Sequence, residues 1–169
     1  MNKLLLSSIL GVSIIATGCS GHKHDSNTGH QHHHSAHHGE GHGESNAGRP
    51  GEESEINRII AVEANDSMRF IHEPITVKTG ETIKFEITNT GSIPHEFSIG
   101  MIDEHIAHGK VMLESPDMHH GPGGSSITIA PGKTEFLIWT FNAAKNVRAA
   151  CNIPGHYQAG MHSEIQFGT

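Results

Sequence analysis

Short apolar runs separated by turn residues fill the chain from Ile56 to its end. In TIKFEITN, Ile83, Phe85 and Ile87 alternate with Lys84, Glu86 and Thr88, the period-two pattern of a strand with one buried face. INRIIAVEAND and SMRFIHEPITVKTGE read as strand regions ahead of it. HEFSIG starts another, with His95, Phe97 and Ile99 facing one way and Glu96 the other. SSITIAPGKTEFLIWTFN holds two strands around the turn APGK, NVRAAC leads into a loop, and MHSEIQFG closes the sheet. Strands at this spacing, with Gly and Pro between them, predict an all-β sandwich of about eight strands over residues 55–169. Trp139 and Phe141 alternate along one strand and are expected in its core as large apolar anchors.

One internal stretch breaks the pattern. Met101 to Gly124 is poor in β-branched residues and reads as helical in its first half. Met101, His105, His108 and Met112 share one helical face, and Ile102, Ile106 and Leu113 form a neighbouring apolar stripe suited to packing on the sandwich. Gly109 weakens such a helix without breaking it, and Pro116 followed by PGG ends it.

The N-terminal third has no strand pattern. Lys3, the apolar run LLLSSILGVSII and the small residues ATGC form an export signal over residues 1–19, with an apolar stretch too short to span a bilayer. The end of that segment resembles a bacterial lipoprotein processing box in which Cys19 becomes acylated, although Ala16 stands where Leu is usual. Cleavage nearby by an ordinary signal peptidase is the alternative. Ser20 after the Cys resembles lipoproteins sent on to the outer membrane. Residues 20–54 are rich in Gly, His, Ser, Asn and Glu and carry almost no aliphatics, so they are expected to be a disordered tether.

Composition narrows the chemistry. Lys and Arg total 11 against 18 Asp and Glu, a net charge of -7 that argues against a nucleic-acid surface. Histidine outnumbers Lys and Arg together, at 17 residues. Nine of them, His22, His24, His30, His32, His33, His34, His37, His38 and His42, sit in the tether and suit loose buffering of divalent metal ions, copper foremost. A solvated linker is the plainer reading of the same segment. Apart from Cys19, Cys151 is the sole cysteine, and an unpaired cysteine in an exported body points to a reactive or metal-bound thiol.

That cysteine opens CNIPGHYQAGM, in which Cys151, His156 and Met161 stand five residues apart. With His95 at the start of a strand they supply two imidazoles, a thiolate and a thioether, the donor set of a blue copper site with a long axial Met. Zinc is the main competitor for Cys and His, but a methionine ligand is unusual for it. The Pro154–Gly155 pair before His156 sets a tight turn in this loop. The Met101, His105, His108 and Met112 face, with Met118, His119 and His120 beyond it, is either a second copper site or, the preferred reading, part of a surface helix whose Met residues pack on the sandwich. His72 and His162 read as surface residues.

The domain resembles the cupredoxins, small blue copper proteins with a Greek-key β-sandwich. The two five-residue steps from Cys151 to Met161 look like those of rusticyanin and auracyanin, whereas plastocyanin has a shorter first step. PHEFSIG, the Met/His-containing insertion, PGKTEFLIWTF and ACNIPGHYQAGM together resemble bacterial periplasmic cupredoxins of copper tolerance, the CopI-like group. The resemblance implies that His95, Cys151, His156 and Met161 are the ligands of one copper ion. One departure stands out: many cupredoxins carry Asn or Ser after the first His, supporting a hydrogen bond near the sulfur, and this chain has Glu96. On an alternating strand Glu96 points away from copper, which leaves that bond without its usual source.

These readings converge on a periplasmic copper-binding protein, held to a membrane only by a lipidated Cys19, that serves copper tolerance by binding and redox-cycling copper. An electron carrier working with a periplasmic redox or copper-transfer partner is the alternative. A dedicated copper oxidase is disfavoured, because the body is one domain without a His-x-His pair, although weak Cu(I) oxidation is compatible with it. The expected state is a monomer.

Overall fold

The computed structural model describes residues 45–168, so Cys19 and the nine tether histidines lie outside the described residues. Ten strands form two five-stranded sheets. The first holds β1 (Gly48–Pro50), β2 (Arg58–Asn65), β3 (Arg69–Ile71), β5 (Thr82–Asn89) and β8 (Thr134–Phe141) in the order β1-β8-β5-β2-β3. The second holds β4 (Ile75–Val77), β6 (His95–Met101), β7 (Ser126–Ile129), β9 (Val147–Ala150) and β10 (His162–Phe167) in the order β4-β10-β9-β6-β7. β2 runs parallel to β5 and β10 parallel to β4; the other pairings are antiparallel.

The core follows the alternation in the sequence. Ile83, Phe85 and Ile87 of β5 are fully buried, as are Trp139 and Phe141 of β8. Phe97 of β6 crosses between the sheets, with its ring 5.2 Å from both Phe70 and Phe85. Such aromatic contacts bury large apolar areas at one point and hold the two sheets in register.

Two features raise the strand count above the expected eight. The region SMRFIHEPITV splits at Pro74, whose missing N–H ends ladder pairing, and β3 and β4 join different sheets. The folded body also starts before residue 55: β1 pairs with β8, Ala47 is fully buried, and residues 53–55 form a 3-10 turn whose Glu55 pairs with Arg49 at 2.7 Å. Residues 45–54 are therefore part of the fold and not tether. A three-residue strand of Gly, Arg and Pro carries no periodic signal, because its attachment is made by backbone groups. Gly48 allows the approach, since a Cβ there would meet the Thr140 carbonyl oxygen at 2.1 Å.

Between β6 and β7 lies helix α1 (Ile102–Glu114), which runs through Gly109 for 13 residues and packs over β6 and β9. Glu104 in its first turn accepts the backbone N–H of Met101 at 2.7 Å, which secures the start. The buried face is the His/Met one, with His105 and Met112 nearly inaccessible, whereas Ile106 and Leu113 are 54% and 66% exposed. The expected packing of the Ile102, Ile106 and Leu113 stripe on the sandwich is thus corrected for Ile106 and Leu113. The reason is the surface beneath the helix, which presents Glu96, Ser98 and a backbone carbonyl. His105 satisfies two of these, bonding the Arg148 carbonyl through Nε2 at 3.1 Å and meeting the Ser98 hydroxyl through Nδ1 at 3.3 Å.

Candidate metal centre

His95 begins β6, Cys151 follows directly on β9, and His156 and Met161 lie in the loop between β9 and β10. The loop is closed at its base, where the Cys151 N–H donates to the Met161 carbonyl at 3.0 Å. Inside it, the Met161 N–H donates to the His156 carbonyl and the His156 N–H to the Ile153 carbonyl, each at 3.0 Å. That last bond closes a four-residue turn with Pro154 second and Gly155, at φ 90°, third, a type II geometry that favours Pro at the second position and Gly at the third. From β3, Arg69 clips the far side of the loop by donating to the Ala159 carbonyl at 2.8 Å.

The fold brings one ligand atom each from His95, Cys151 and His156 within 4.8 Å of one another. Cys151 Sγ lies 3.3 Å from His156 Nδ1, and the two imidazole rings are 5.3 Å apart. His95, Cys151 and Met161 are completely buried, while His156 keeps an edge towards solvent. His95 Nδ1 is a buried nitrogen with no hydrogen-bond partner, which in a packed interior marks a place for a ligand.

Electrostatics agree with a metal cradle. Burial, only partly offset by backbone N–H groups, pushes the Cys151 thiol up to about 12. The sulfur can ionise here only beside a strong positive charge, which a bound cation provides. Burial also lowers both His95 and His156, with Asp66 opposing the effect at each. Both imidazoles are therefore neutral at physiological pH, the form that binds metal.

Several supporting groups were not legible in the sequence. Asp66, in the turn between β2 and β3, holds the Ser92 N–H and hydroxyl at 2.8 and 2.6 Å and places Oδ1 3.4 Å from His95 Nε2. Those bonds to Ser92 hold its carboxyl down at about 2, so it faces the imidazole as an anion. The hydrogen bond to the sulfur, left without a source by Glu96, comes from the backbone: the Glu96 N–H donates to Cys151 Sγ at 3.3 Å. Its side chain does point away, under α1, where Asn152 Nδ2 donates to Oε1 at 2.8 Å. Asn152 follows Cys151, so one amide ties the two strands behind the site. Only the backbone pairing of β6 with β9 could have revealed it.

The second candidate set divides. His108 and His120 come together with Glu96, which the sequence reading had not grouped with them. His105 is occupied by its structural bonds, Met112 is buried on the inner face of α1, Met101 packs against the core, Met118 is half-buried and His119 is exposed. His72 is half-buried and bonded to the Ser163 hydroxyl at 2.7 Å, and His162 lies half-buried with its ring 4.8 Å from that of Tyr157. Neither joins a metal cluster among the described residues.

The sequence matches the model of the copper binding proteins, plastocyanin/azurin family, over residues 57–168. It is 34% identical over 168 residues to the copper-resistant cuproprotein CopI of Rubrivivax gelatinosus, covering 97% of both chains. It is 37% identical over 123 residues to the protein of the same name from Vibrio cholerae serotype O1, covering 72% of each. Among solved structures, auracyanin B superposes with a TM-score of 0.59 at 16% identity over 74% of this chain and all of that one. Auracyanin A of Chloroflexus aurantiacus gives 0.54 at 21% identity over 65% of this chain and 98% of that one. At such identities these two show the shared fold. With a family match spanning most of the described body and a neutral-imidazole, buried-thiol cluster at its pole, the chain belongs to the plastocyanin/azurin family of copper-binding proteins.

Proposed function

We propose that this protein is a periplasmic type 1 copper protein of copper tolerance, with His95, Cys151, His156 and Met161 as ligands of one ion that cycles between Cu(II) and Cu(I). The observation that carries the reading is the convergence of two imidazoles on one buried, unpaired thiol. Soft thiolate and thioether favour Cu(I), imidazole serves both oxidation states, and a loop closed by its own backbone bonds resists rearrangement between them. The relatives named for copper resistance support the tolerance role. The export signal supports the periplasm, and Cys19 supports a lipid anchor. The body acts as a monomer that binds metal and is not a dedicated enzyme.

A second role, electron transfer to a partner protein, draws on one observation. The partly exposed His156 adjoins a groove lined by Ile106, Leu113, Pro154 and Tyr157, an apolar surface beside a redox centre. Titration of the mature protein with Cu(II), followed by visible absorption, tests the site. One intense blue band saturating at one equivalent and absent from Cys151→Ser is expected, and a colourless holoprotein overturns the ligand set. Deletion of the gene separates the roles: loss of copper tolerance supports the first, and a respiratory defect with normal tolerance supports the second.

A further inference from the structure

β6 carries chemistry on both faces. His95 belongs to the centre described above, and Glu96, one residue on, turns into a different pocket closed by α1 and the segment leading to β7. The Glu96 side chain has no solvent exposure, and a buried carboxylate requires positive charge and hydrogen bonds around it. Its Oε1 takes the Asn152 amide. Its Oε2 lies 3.2 Å from His108 Nε2 and 3.4 Å from His120 Nε2, with the two rings 4.9 Å apart.

The two carboxylate–imidazole separations suit hydrogen bonds and a coordination sphere alike. Donors about 2.0–2.2 Å from a tetrahedral ion stand roughly 3.3 Å from one another. Two imidazoles and a carboxylate suit divalent first-row metals, among which Cu(II) binds most tightly. The histidine side chains are 11% and 13% exposed, so the pocket lies just under the surface, within reach of an incoming ion.

We propose that Glu96, His108 and His120 form a second metal site, for a divalent first-row cation with Cu(II) preferred, on the opposite face of β6 from the blue centre. Without thiolate, copper held there is cupric and nearly colourless. The two sites are coupled: the Glu96 backbone donates to Cys151 Sγ at 3.3 Å, and Asn152 joins the Glu96 carboxylate to the residue after that cysteine. Filling the second site therefore shifts the blue band of the first. The coupling rests on the type 1 reading; the binding does not.

The direct test is anomalous diffraction from crystals of the full chain loaded with one equivalent of Cu(II) and then with Zn(II), recorded on both sides of the zinc edge. A zinc peak bonded to Glu96, His108 and His120 is expected. A triad joined only by hydrogen bonds, with no peak in crystals saturated with zinc, overturns the site. In solution, full-length Cys151→Ser and Cys151→Ser/His120→Ala are dialysed against Zn(II), so that the tether histidines contribute equally to both. The double variant is expected to bind one equivalent fewer, and equal uptake overturns the proposal. Cooperative thermal unfolding of the double variant shows that the loss is not a loss of fold. If zinc uptake falls as expected but copper gives no blue band in wild type, the type 1 reading fails and the second site stands.

Discussion

Replacing Asn152 by Ala should cost more stability than any hydrogen bond at the protein surface. Asn152 is 3% exposed and its Nδ2 donates to the Glu96 carboxylate at 2.8 Å and to the Ser98 hydroxyl at 2.7 Å. Burial works to raise the Glu96 carboxyl, but its interactions with His108, Asn152 and His120 hold it below its ordinary value. The first bond is thus made to an anion. A bond to a charged group contributes about 1.5–3 kcal/mol and a neutral one about 1 kcal/mol, so the copper-free variant should lose about 3 kcal/mol. For a body of roughly 120 residues, with an unfolding entropy near 2.1 cal/mol/K per residue, that lowers Tm by about 12 °C. Urea unfolding of apo wild type, Asn152→Ala, Glu96→Gln and the double variant gives the interaction directly, and a coupling of about 1–2 kcal/mol is expected. A loss below about 1 kcal/mol in Asn152→Ala, or additive single variants, would refute the claim that this amide supports a buried anion.

Phe97→Ala, which removes the ring bridging Phe70 and Phe85, should cost the apo protein about 3–5 kcal/mol in urea unfolding; less than about 2 would mean that the sheets close over the gap. On the proposed ligation, Asp66→Asn should weaken Cu(II) more than Cu(I), by up to about tenfold in affinity, because the anion beside His95 Nε2 makes that imidazole a better donor. Redox titration then shows a higher reduction potential, and a lower one contradicts the assignment. Burial raises the Glu81 carboxyl, but the Arg58 hydrogen bond and the Lys78 backbone overcome this and hold it low, so its contribution is present above the unfolded-state pKa of about 4.3. The difference of about 0.5–1 kcal/mol between wild type and Glu81→Gln should be full above about pH 5 and fade as pH falls through the folded-state value. A difference that grows in acid has the wrong sign.

Much of the molecule could be read from residue order, for physical reasons that also explain the failures. β5 and β8 were legible because a sheet with one buried face writes its geometry into every second residue, as Ile83, Phe85 and Ile87 show. The loop from Cys151 to Met161 was legible because Pro154 and Gly155 mark a turn between the two neighbouring strands it joins. β1 was not, since it is held by backbone hydrogen bonds that leave no trace in side-chain pattern. The packing face of α1 was legible only in part: Met112 lies inward as its helical spacing suggested, but hydropathy also ranks Ile106 and Leu113 as inward and cannot know that the strand beneath presents polar groups. The grouping of Glu96 with His108 and His120, and the reach of Asp66 to His95, depend on tertiary contacts between segments with no shared periodicity.

On the proposed ligation, the position of His95 on a strand apart from the loop that carries the other three donors has a consequence for the order of events during maturation. The loop alone can offer Cys151, His156 and Met161, but the fourth donor arrives only when β6 has docked against β9. Metallation is then a late step that follows assembly of the sandwich. A nascent, unassembled chain would present only a partial and exchangeable grip on copper, and the completed pole would trap the ion by joining distant parts of the polypeptide.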